Sequence, residues 1–303
     1  MKTLRLLHPV HTIDNELLLT KGTVLSSATM NFLVSARKII RRKKYSLLHH
    51  GTVKKDICRF LSQPPYDVIF AGEERTTDLL ELMQKVHFTP PLLQSLDYFY
   101  QNDINTYGHI LMVFSLSVIL AKDLIPDRKK RLQEISTGPT HDIGKVCVHL
   151  HILKKTTPLT RKERDILENH SAAGYVLLCH YSHATWNLAA RVARDHHERR
   201  NASGYPRGIH LKDHMVEIIA ACDVYDALIS PRPYRRGSYD NRTALEEITG
   251  MAERKEIGWN VVKALVAHNR KTKIHYSETR ISTIKRGTPP PGNLHGITTE
   301  EGS

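Results

Sequence analysis

The segment YGHILMVFSLSVILAK, residues 107–122, is apolar around nearly its whole circumference when it is drawn as a helix. A helix that is hydrophobic on all sides must be buried, so these residues are predicted to form the central helix of the fold. The longest apolar run of the chain lies inside this segment, has twelve positions (110–121) and includes two serines. A membrane-spanning helix needs about 18 or more apolar residues. We therefore predict no membrane span.

Helical patterns occupy the chain on both sides of this segment. Apolar residues recur at helical spacing from Leu79 to Val86, before Pro90–Pro91. Thr160 and Glu163 have the spacing of a capping box, which predicts a helix from there to about His180. Further helices are predicted at residues 185–198, 216–229, 243–254 and 260–267. The pattern predicts a mainly α protein, with an all-helical domain at residues 76–272.

The first 75 residues are predicted to form a small mixed α/β module. The apolar pieces 16–19 and 23–25 favour a β-hairpin, and a serine before Ala28 can cap a helix over residues 28–36. The basic run 37–44 is interpreted as a solvated helix end, with a phosphate-binding face as the alternative. At the other end, residues 273–303 are polar and contain three consecutive prolines at 289–291, which predicts a disordered tail.

Composition narrows the classes of function. Lys and Arg together number 44 against 31 acidic residues, a net charge of +13. Such an excess favours a polyanionic partner, either nucleic acid, a phosphorylated ligand or a membrane surface, although a solvated basic surface gives the same count. The four cysteines form no CxxC pair, which argues against zinc-finger and redox functions. Reduced cysteines and an N-terminus unlike a signal peptide predict a cytoplasmic protein.

Histidine, with 19 occurrences, is the residue type that points to a metal. His109 lies within the most apolar helix, and His170 follows apolar residues at the spacing of one helical face. Asp223 and Asp226 lie in the apolar segment 218–229, which contains no Lys or Arg. A buried charge must be paired or bind a metal. Although a lone buried histidine is usually a hydrogen-bonded core residue, inward-facing His and Asp on several helices favour a centre for iron, manganese or zinc.

A second group of residues is suited to anions. Lys145 follows His141–Asp142 by about one helical turn, and residues 203–208 form a turn whose glycines permit close backbone approach. The segment 232–236 carries arginines, whose planar guanidinium matches phosphate oxygens. An ordinary surface turn is the alternative for these residues.

In combination, these motifs resemble the HD-GYP phosphodiesterases, a branch of the HD metal-dependent phosphohydrolases. The resemblance covers residues 76–268 and rests on separated motifs in one order: His109, HDIGK (141–145), His170, HHE (196–198), GYP (204–206) and DVYDALISPRPYR (223–235). It implies hydrolysis of cyclic di-GMP to linear pGpG, and further to GMP. The nucleophile would be a hydroxide that bridges two divalent metal ions, iron or alternatively manganese.

The resemblance also assigns a role to each matched position. One metal would be held by His109, His141, Asp142 and Asp223, and the second by Asp142, as a bridge, with His170, His196 and His197. Asp142 and Lys145 would be the catalytic residues. Substrate-binding roles fall to Lys145, Gly204, Tyr205, Arg232 and Arg235.

Two departures from the family pattern leave alternatives open. Asn201–Ala202 stands where many relatives have Asp-Gly, which keeps open a non-catalytic cyclic di-GMP receptor that signals to a protein partner through the N-terminal module. Asn105 stands where three-metal members have glutamate, so the sequence predicts two metals. Action on another nucleotide, or nucleic-acid binding through residues 37–44, is a less favoured alternative.

Overall fold

The computed structural model describes residues 3–35, 43–232, 235, 237–272, 274–282, 284–291 and 298–299. Most of the basic run, residues 37–42, therefore lies outside the described residues. Within them the chain forms these α-helices: α1 Ser27–Ser35, α2 Val53–Leu61, α3 Asp67–Phe70, α4 Glu73–Gln84, α5 Pro90–Asn102, α6 Ile104–Leu124, α7 Arg128–Ile135, α8 Leu150–Leu153, α9 Arg161–Glu168, α10 His170–Ser182, α11 Leu188–Asp195, α12 His214–Ile229, α13 Asn241–Glu253 and α14 Trp259–Asn269.

Short strands and 3-10 helices complete the fold. The strands are β1 Val10–His11, β2 Leu17–Leu19, β3 Tyr45–Ser46, β4 His87–Phe88, β5 Leu159–Thr160 and β6 Thr298–Thr299. They pair as β1 with β2 and β3 with β4, both antiparallel, and β5 with β6, parallel. The 3-10 helices are Gly138–Thr140, Ile143–Cys147 and Tyr276–Glu278. The predicted mainly α fold, with a small strand-containing N-terminal part, is confirmed.

The central helix is α6, as its sequence predicts. It is buried along most of its length and packs against α12, α14, α5 and α4. By length and hydropathy α6 is the one helix of the described residues that could cross a membrane, yet 78% of its apolar window is buried inside the protein. This burial fits the role of a core helix.

The predicted helix from Thr160 to His180 is interrupted at Asn169. The capping box is present, since Thr160 Oγ1 accepts from the Glu163 N–H and Glu163 accepts from the Thr160 N–H. At the end of α9, however, the Leu167 carbonyl accepts a hydrogen bond from the ring Nδ1 of His170, 2.6 Å away. The last carbonyls of a helix lack partners within it, and here a side chain supplies one. The interruption makes His170 the first residue of α10.

The predicted hairpin of residues 16–19 and 23–25 is wrong in its pairing. β2 pairs with β1, and Val24 pairs instead with Arg5. Gly22, at φ 84°, lies at the turn between the two pieces, and its N–H donates to the carbonyl of Leu6. Residues 4–6 therefore supply, through an isolated β-bridge, the pairing partner that the sequence pattern did not indicate.

Two hydrophobic cores divide the described residues differently from the boundary predicted at residue 75. The larger core joins buried residues of segment 47–70 with those of α6, α12 and α14. The smaller core joins Leu6, Val10, Met30 and Leu33 to Ile143 and to apolar residues of α10. Residues 47–70 therefore pack with the helical domain, and residues 6–33 pack with apolar residues of α10.

Described residues of the C-terminal segment also make defined contacts, which differs from the disorder predicted for residues 273–303. Thr279 is buried, and the backbone N–H groups of Arg286 and Gly287 donate to the carboxylate of Glu246. A carboxylate that accepts two backbone N–H groups anchors that part of the chain on α13.

The glycine of HDIGK provides a test of this packing. A Cβ at Gly144 would lie 1.9 Å from the carbonyl oxygen of His170 and 2.5 Å from the backbone nitrogen of Gly174. Gly144→Ala must therefore separate two backbones, and we expect it to lower the free energy of unfolding by about 3 kcal/mol. Urea unfolding followed by circular dichroism measures this change.

Gly108→Ala is the matched control, because its Cβ would meet only the Phe60 ring, at 3.6 Å. Removing a glycine from a helix interior should stabilise the protein by about 0.5–1 kcal/mol. Equal stabilities of the two variants would contradict the backbone contact at Gly144.

Candidate metal centre

Five parts of the fold bring the predicted ligands together. His109 lies on α6, and Asp223 lies on α12, the helix packed against it. His141 and Asp142 lie between the 3-10 helices 138–140 and 143–147. The remaining ligands are the first residue of α10 and the two residues after α11: His170, His196 and His197.

The first cluster consists of His109, His141 and Asp223, with one ligand atom from each within 4.8 Å of the others. His109 Nε2 lies 3.0 Å from Asp223 Oδ1. The His141 ring donates from Nδ1 to the Gly138 carbonyl at 2.7 Å. Its Nε2 is buried and has no hydrogen-bond partner among the described residues. An unpaired buried ring nitrogen that faces a carboxylate and another imidazole is the arrangement expected of a metal ligand.

The second cluster consists of His170, His196 and His197. His170 and His196 each donate from Nδ1 to a backbone carbonyl, of Leu167 at 2.6 Å and of Ala193 at 2.9 Å. In a neutral imidazole this leaves Nε2 as a lone-pair acceptor. The Nε2 atom of His170 lies 3.3 Å from that of His196 and 3.1 Å from that of His197. The Nε2 lone pairs of His170 and His196 repel each other at this separation, and a cation between them would remove the repulsion.

Asp142 lies between the two clusters. Its Oδ1 is 3.3 Å from His170 Nε2 and 3.8 Å from His196 Nε2. Its Oδ2 is 3.4 Å from His109 Nε2 and 3.6 Å from His141 Nε2. One carboxylate oxygen therefore faces each cluster, which is the geometry of a bridging ligand. Lys145 Nζ is 2.6 Å from the same Oδ2.

The electrostatics hold His170, His196 and Asp142 in the protonation states that metals require. His109 differs, because burial and Arg232 lower its pKa but its hydrogen bonds with Asp223 and Asp226 outweigh them and raise it. Burial lowers the pKa of His170 and of His196 to about 4, and neighbouring imidazoles add to the effect. Burial opposes ionisation of Asp142, but Lys145 and the surrounding imidazoles outweigh it and hold the pKa of that carboxyl well below its usual range. Neutral imidazoles and an ionised carboxylate are the forms that bind metal. The residues thus fit a pair of divalent ions.

Gly204 and Tyr205 support the centre from a loop. A Cβ at Gly204 would lie 2.1 Å from the His197 carbonyl oxygen, so the close approach predicted for this glycine is to the protein's own backbone. The Tyr205 ring stacks on the His197 ring, with centroids 4.4 Å apart and an interplanar angle of 18°. Glu198, the last residue of the HHE motif, holds the loop by accepting the N–H groups of Arg207 and Ile209; the motif alone assigned it no role.

The two predicted phosphate-binding arginines lie in different surroundings. Arg232 is at the first cluster, with Nη2 3.0 Å from His109 Nδ1. Arg235 instead donates from Nη2 to three carbonyls at the end of α12, of Ala227, Leu228 and Ser230. The structure does not bring Arg235 to the clusters, because its guanidinium satisfies the carbonyls that the end of α12 leaves without partners.

Sequence reasoning missed the role of Asp226. This fully buried carboxylate accepts a hydrogen bond from His109 Nδ1 at 2.6 Å. A carboxylate behind a metal-binding imidazole fixes the tautomer and the orientation of the ring. The spacing of Asp223 and Asp226 was a signal for this arrangement, since residues three apart on a helix point to one side.

Comparison with known proteins agrees with this geometry. A model of the HD domain family matches residues 102–261. Over 187 residues the chain is 36% identical to a cyclic di-GMP phosphodiesterase of Pseudomonas aeruginosa, covering 59% of this chain and 42% of the relative. Over 135 residues it is 33% identical to a cyclic di-GMP phosphodiesterase of Thermotoga maritima, covering 44% of this chain and 37% of the relative.

A third relative is named for a different cyclic dinucleotide. The chain is 33% identical over 132 residues to 3'3'-cGAMP-specific phosphodiesterase 3 of Vibrio cholerae, covering 43% of this chain and 28% of the relative. The chain spans about two fifths or less of the length of these curated relatives. It belongs to the HD domain family, and its resemblance to the HD-GYP branch is confirmed.

Asp142 and Tyr205 can be compared directly by substitution. Asp142→Asn removes the charge that faces both clusters, and we expect it to weaken metal binding by about 100-fold or more. Tyr205→Phe keeps the ring that stacks on His197, and we expect metal content to be unchanged. Elemental analysis of both purified variants measures the difference. A fully metallated Asp142→Asn protein would contradict the bridging position of this carboxylate.

Proposed function

We propose that this chain is a metal-dependent phosphodiesterase that hydrolyses cyclic di-GMP to linear pGpG, and further to GMP. The observation that carries the proposal is the position of Asp142, a buried carboxylate with one oxygen toward each of two histidine clusters. Hydrolysis would form a bond between water oxygen and phosphorus and break the P–O3' bond, with a proton passing to the departing 3' oxygen. Relatives named as cyclic di-GMP phosphodiesterases support the same reaction class.

The proposed cofactor is two divalent metal ions, iron in the first place and manganese as the alternative. His109, His141, Asp223 and one oxygen of Asp142 would hold one ion, and the other oxygen of Asp142 with His170, His196 and His197 would hold the second. When bound, such a pair supplies Lewis acidity toward phosphoryl oxygens and a nucleophile at neutral pH. A ligand set rich in imidazole favours these metals over magnesium or calcium.

Positive side chains of this chain would hold the substrate phosphate. Lys145 is mostly buried, and its ammonium lies against Asp142 at the junction of the two clusters. Arg232 places its guanidinium beside His109. Fixed positive charge in a water-poor site stabilises the negative charge that builds up on the phosphoryl oxygens in the transition state.

The N-terminal module is proposed to regulate the site when it binds a protein partner. The protein is proposed to be cytoplasmic. Leu6, Val10 and Met30 belong to the same hydrophobic core as Ile143, which lies between Asp142 and Lys145 in the chain. The backbone N–H of Leu7 donates to Asn169 Oδ1 at 2.9 Å, directly before the proposed ligand His170. Movement of the module would therefore act on two ligand-bearing segments.

The activity is tested by incubating metal-loaded protein with cyclic di-GMP and separating the products by chromatography. We expect linear product with iron or manganese, and a fall in kcat/KM of about 100-fold in Lys145→Ala. Lys122→Ala is the control, because Lys122 is exposed and pairs with Asp78 on the surface. 3'3'-cGAMP assayed in parallel identifies the preferred substrate. Absence of turnover with iron, manganese and zinc would overturn the proposal.

A second candidate, a receptor that binds cyclic di-GMP without cleaving it, rests on the Asn201–Ala202 loop. Ala202 has a φ of 63°, a left-handed conformation that costs a non-glycine residue about 1–2 kcal/mol. Asn201 anchors the loop by donating to the Arg254 carbonyl at 2.9 Å. Tight nucleotide binding by fully metallated protein without hydrolysis would favour the receptor, and measurable turnover would exclude it.

We expect each chain to bind two metal ions. Asn105 is exposed, and the acid nearest to it in the sequence, Asp103, accepts from the N–H and hydroxyl groups of Thr106 at the start of α6. Neither residue offers a carboxylate to a third ion beside His109. Elemental analysis of protein purified without chelator should give two ions per chain. A third well-occupied ion, located by anomalous scattering, would contradict this count.

A further inference from the structure

Tyr66 connects a segment outside the family match to the first histidine cluster. Its side chain is buried, and its hydroxyl donates a short hydrogen bond to Asp226 Oδ1. The same hydroxyl lies 2.8 Å from Ser230 Oγ, one turn further along α12. Residues 102–261 match the HD domain, so Tyr66 reaches the site from the preceding part of the chain.

The other oxygen of Asp226 contacts His109 of the first cluster. Asp226 Oδ2 accepts from His109 Nδ1 at 2.6 Å, while His109 Nε2 faces Asp223 Oδ1 at 3.0 Å. Among the described residues, Ser230 Oγ at 3.2 Å and Arg232 Nη2 at 3.5 Å also lie near Asp226 Oδ2, and the same Arg232 Nη2 is 3.0 Å from His109 Nδ1. Tyr66, Asp226 and His109 therefore form a continuous hydrogen-bonded series that ends at a proposed ligand atom.

We propose that Tyr66 is a positioning residue for the metal centre. Its hydroxyl holds the Asp226 carboxylate in one orientation, and that carboxylate fixes the His109 ring with Nδ1 protonated and Nε2 directed at the cluster. This role deepens the proposed function, on which it rests. Without the hydroxyl, Asp226 Oδ1 loses the hydrogen bond from Tyr66. The carboxylate could then rotate to find new partners, and the charged group toward which it would turn is Arg232.

The location of the Tyr66 ring does not depend on its hydroxyl. The backbone N–H of Tyr66 donates to the Gln63 carbonyl, and its carbonyl accepts from the N–H groups of Ile69 and Phe70. The ring itself belongs to the larger hydrophobic core. Tyr66→Phe should therefore keep the fold while it removes the contact to Asp226.

Tyr107→Phe is a closely matched control. Tyr107 is also buried in the larger core, and its hydroxyl also donates to a buried carboxylate, Asp56 Oδ2, at 3.1 Å. Asp56 accepts in addition from Thr52 and Arg59, which lie on or beside α2. Each variant thus loses a hydroxyl that donates to a buried carboxylate, but only the carboxylate beside Tyr66 is bonded to His109.

The test titrates metal-depleted full-length protein with Mn²⁺ and records ¹⁵N spectra of labelled histidines. We expect Tyr66→Phe to weaken one of two Mn²⁺ binding steps by about 10- to 100-fold, and to reduce the Nδ1-protonated signal of His109. We expect kcat with cyclic di-GMP to fall while KM changes less than about twofold. Tyr107→Phe should keep wild-type metal affinity and histidine spectra.

Each other outcome counts against the role. Wild-type metal affinity and an unchanged His109 spectrum in Tyr66→Phe would overturn it, as would equal weakening in both variants, which would indicate a general loss of stability. Metal affinity and the histidine spectra do not depend on hydrolysis. The two proposals can also fail separately. If Tyr66→Phe weakens Mn²⁺ binding and reduces the Nδ1-protonated signal of His109, but wild-type protein does not cleave cyclic di-GMP, the proposed function is refuted and the positioning role stands.

Discussion

Two imidazole nitrogens that carry no proton, on His170 and His196, lie 3.3 Å apart in the interior of this protein, beside the carboxylate of Asp142. Each ring is held from behind by a backbone carbonyl, so neither can turn to relieve the repulsion between the lone pairs. The elements that carry these side chains, α10 and the end of α11, pack closely together. The fold thus holds together two lone pairs that a bound cation would stabilise.

Backbone contacts without side chains make this convergence possible. Gly144 lets the segment after Asp142 touch the backbone at His170, and Gly204 lets the loop before Tyr205 touch the backbone at His197. At both places a methyl group would separate a ligand-bearing segment from its neighbour. The glycines of the HDIGK and GYP motifs therefore shape the candidate metal centre through chain packing.

The sequence predicted the parts of the fold that local patterns determine. The burial of α6, the capping box at Thr160 and the residues of both histidine clusters follow from apolar periodicity, cap spacing and ordered motifs. Local patterns did not predict the surroundings of Arg235 or the contact of Tyr66 with Asp226, because each depends on how distant or irregular segments meet. An arginine after a helix can bind phosphate or backbone carbonyls, and only the three-dimensional course of the chain decides between them.

The core shared by residues 6–33 and α10 also limits how the N-terminal segment can be exchanged for another domain. Leu6, Val10, Met30 and Leu33 cover apolar residues of α10 and Ile143, and these would be exposed to water if the N-terminal segment were replaced. A foreign sensor domain joined at residue 45 would therefore have to supply its own apolar surface of matching shape. The N-terminal segment is an integral part of the protein's interior, and exchange of this segment between relatives requires joint redesign of both sides of the contact.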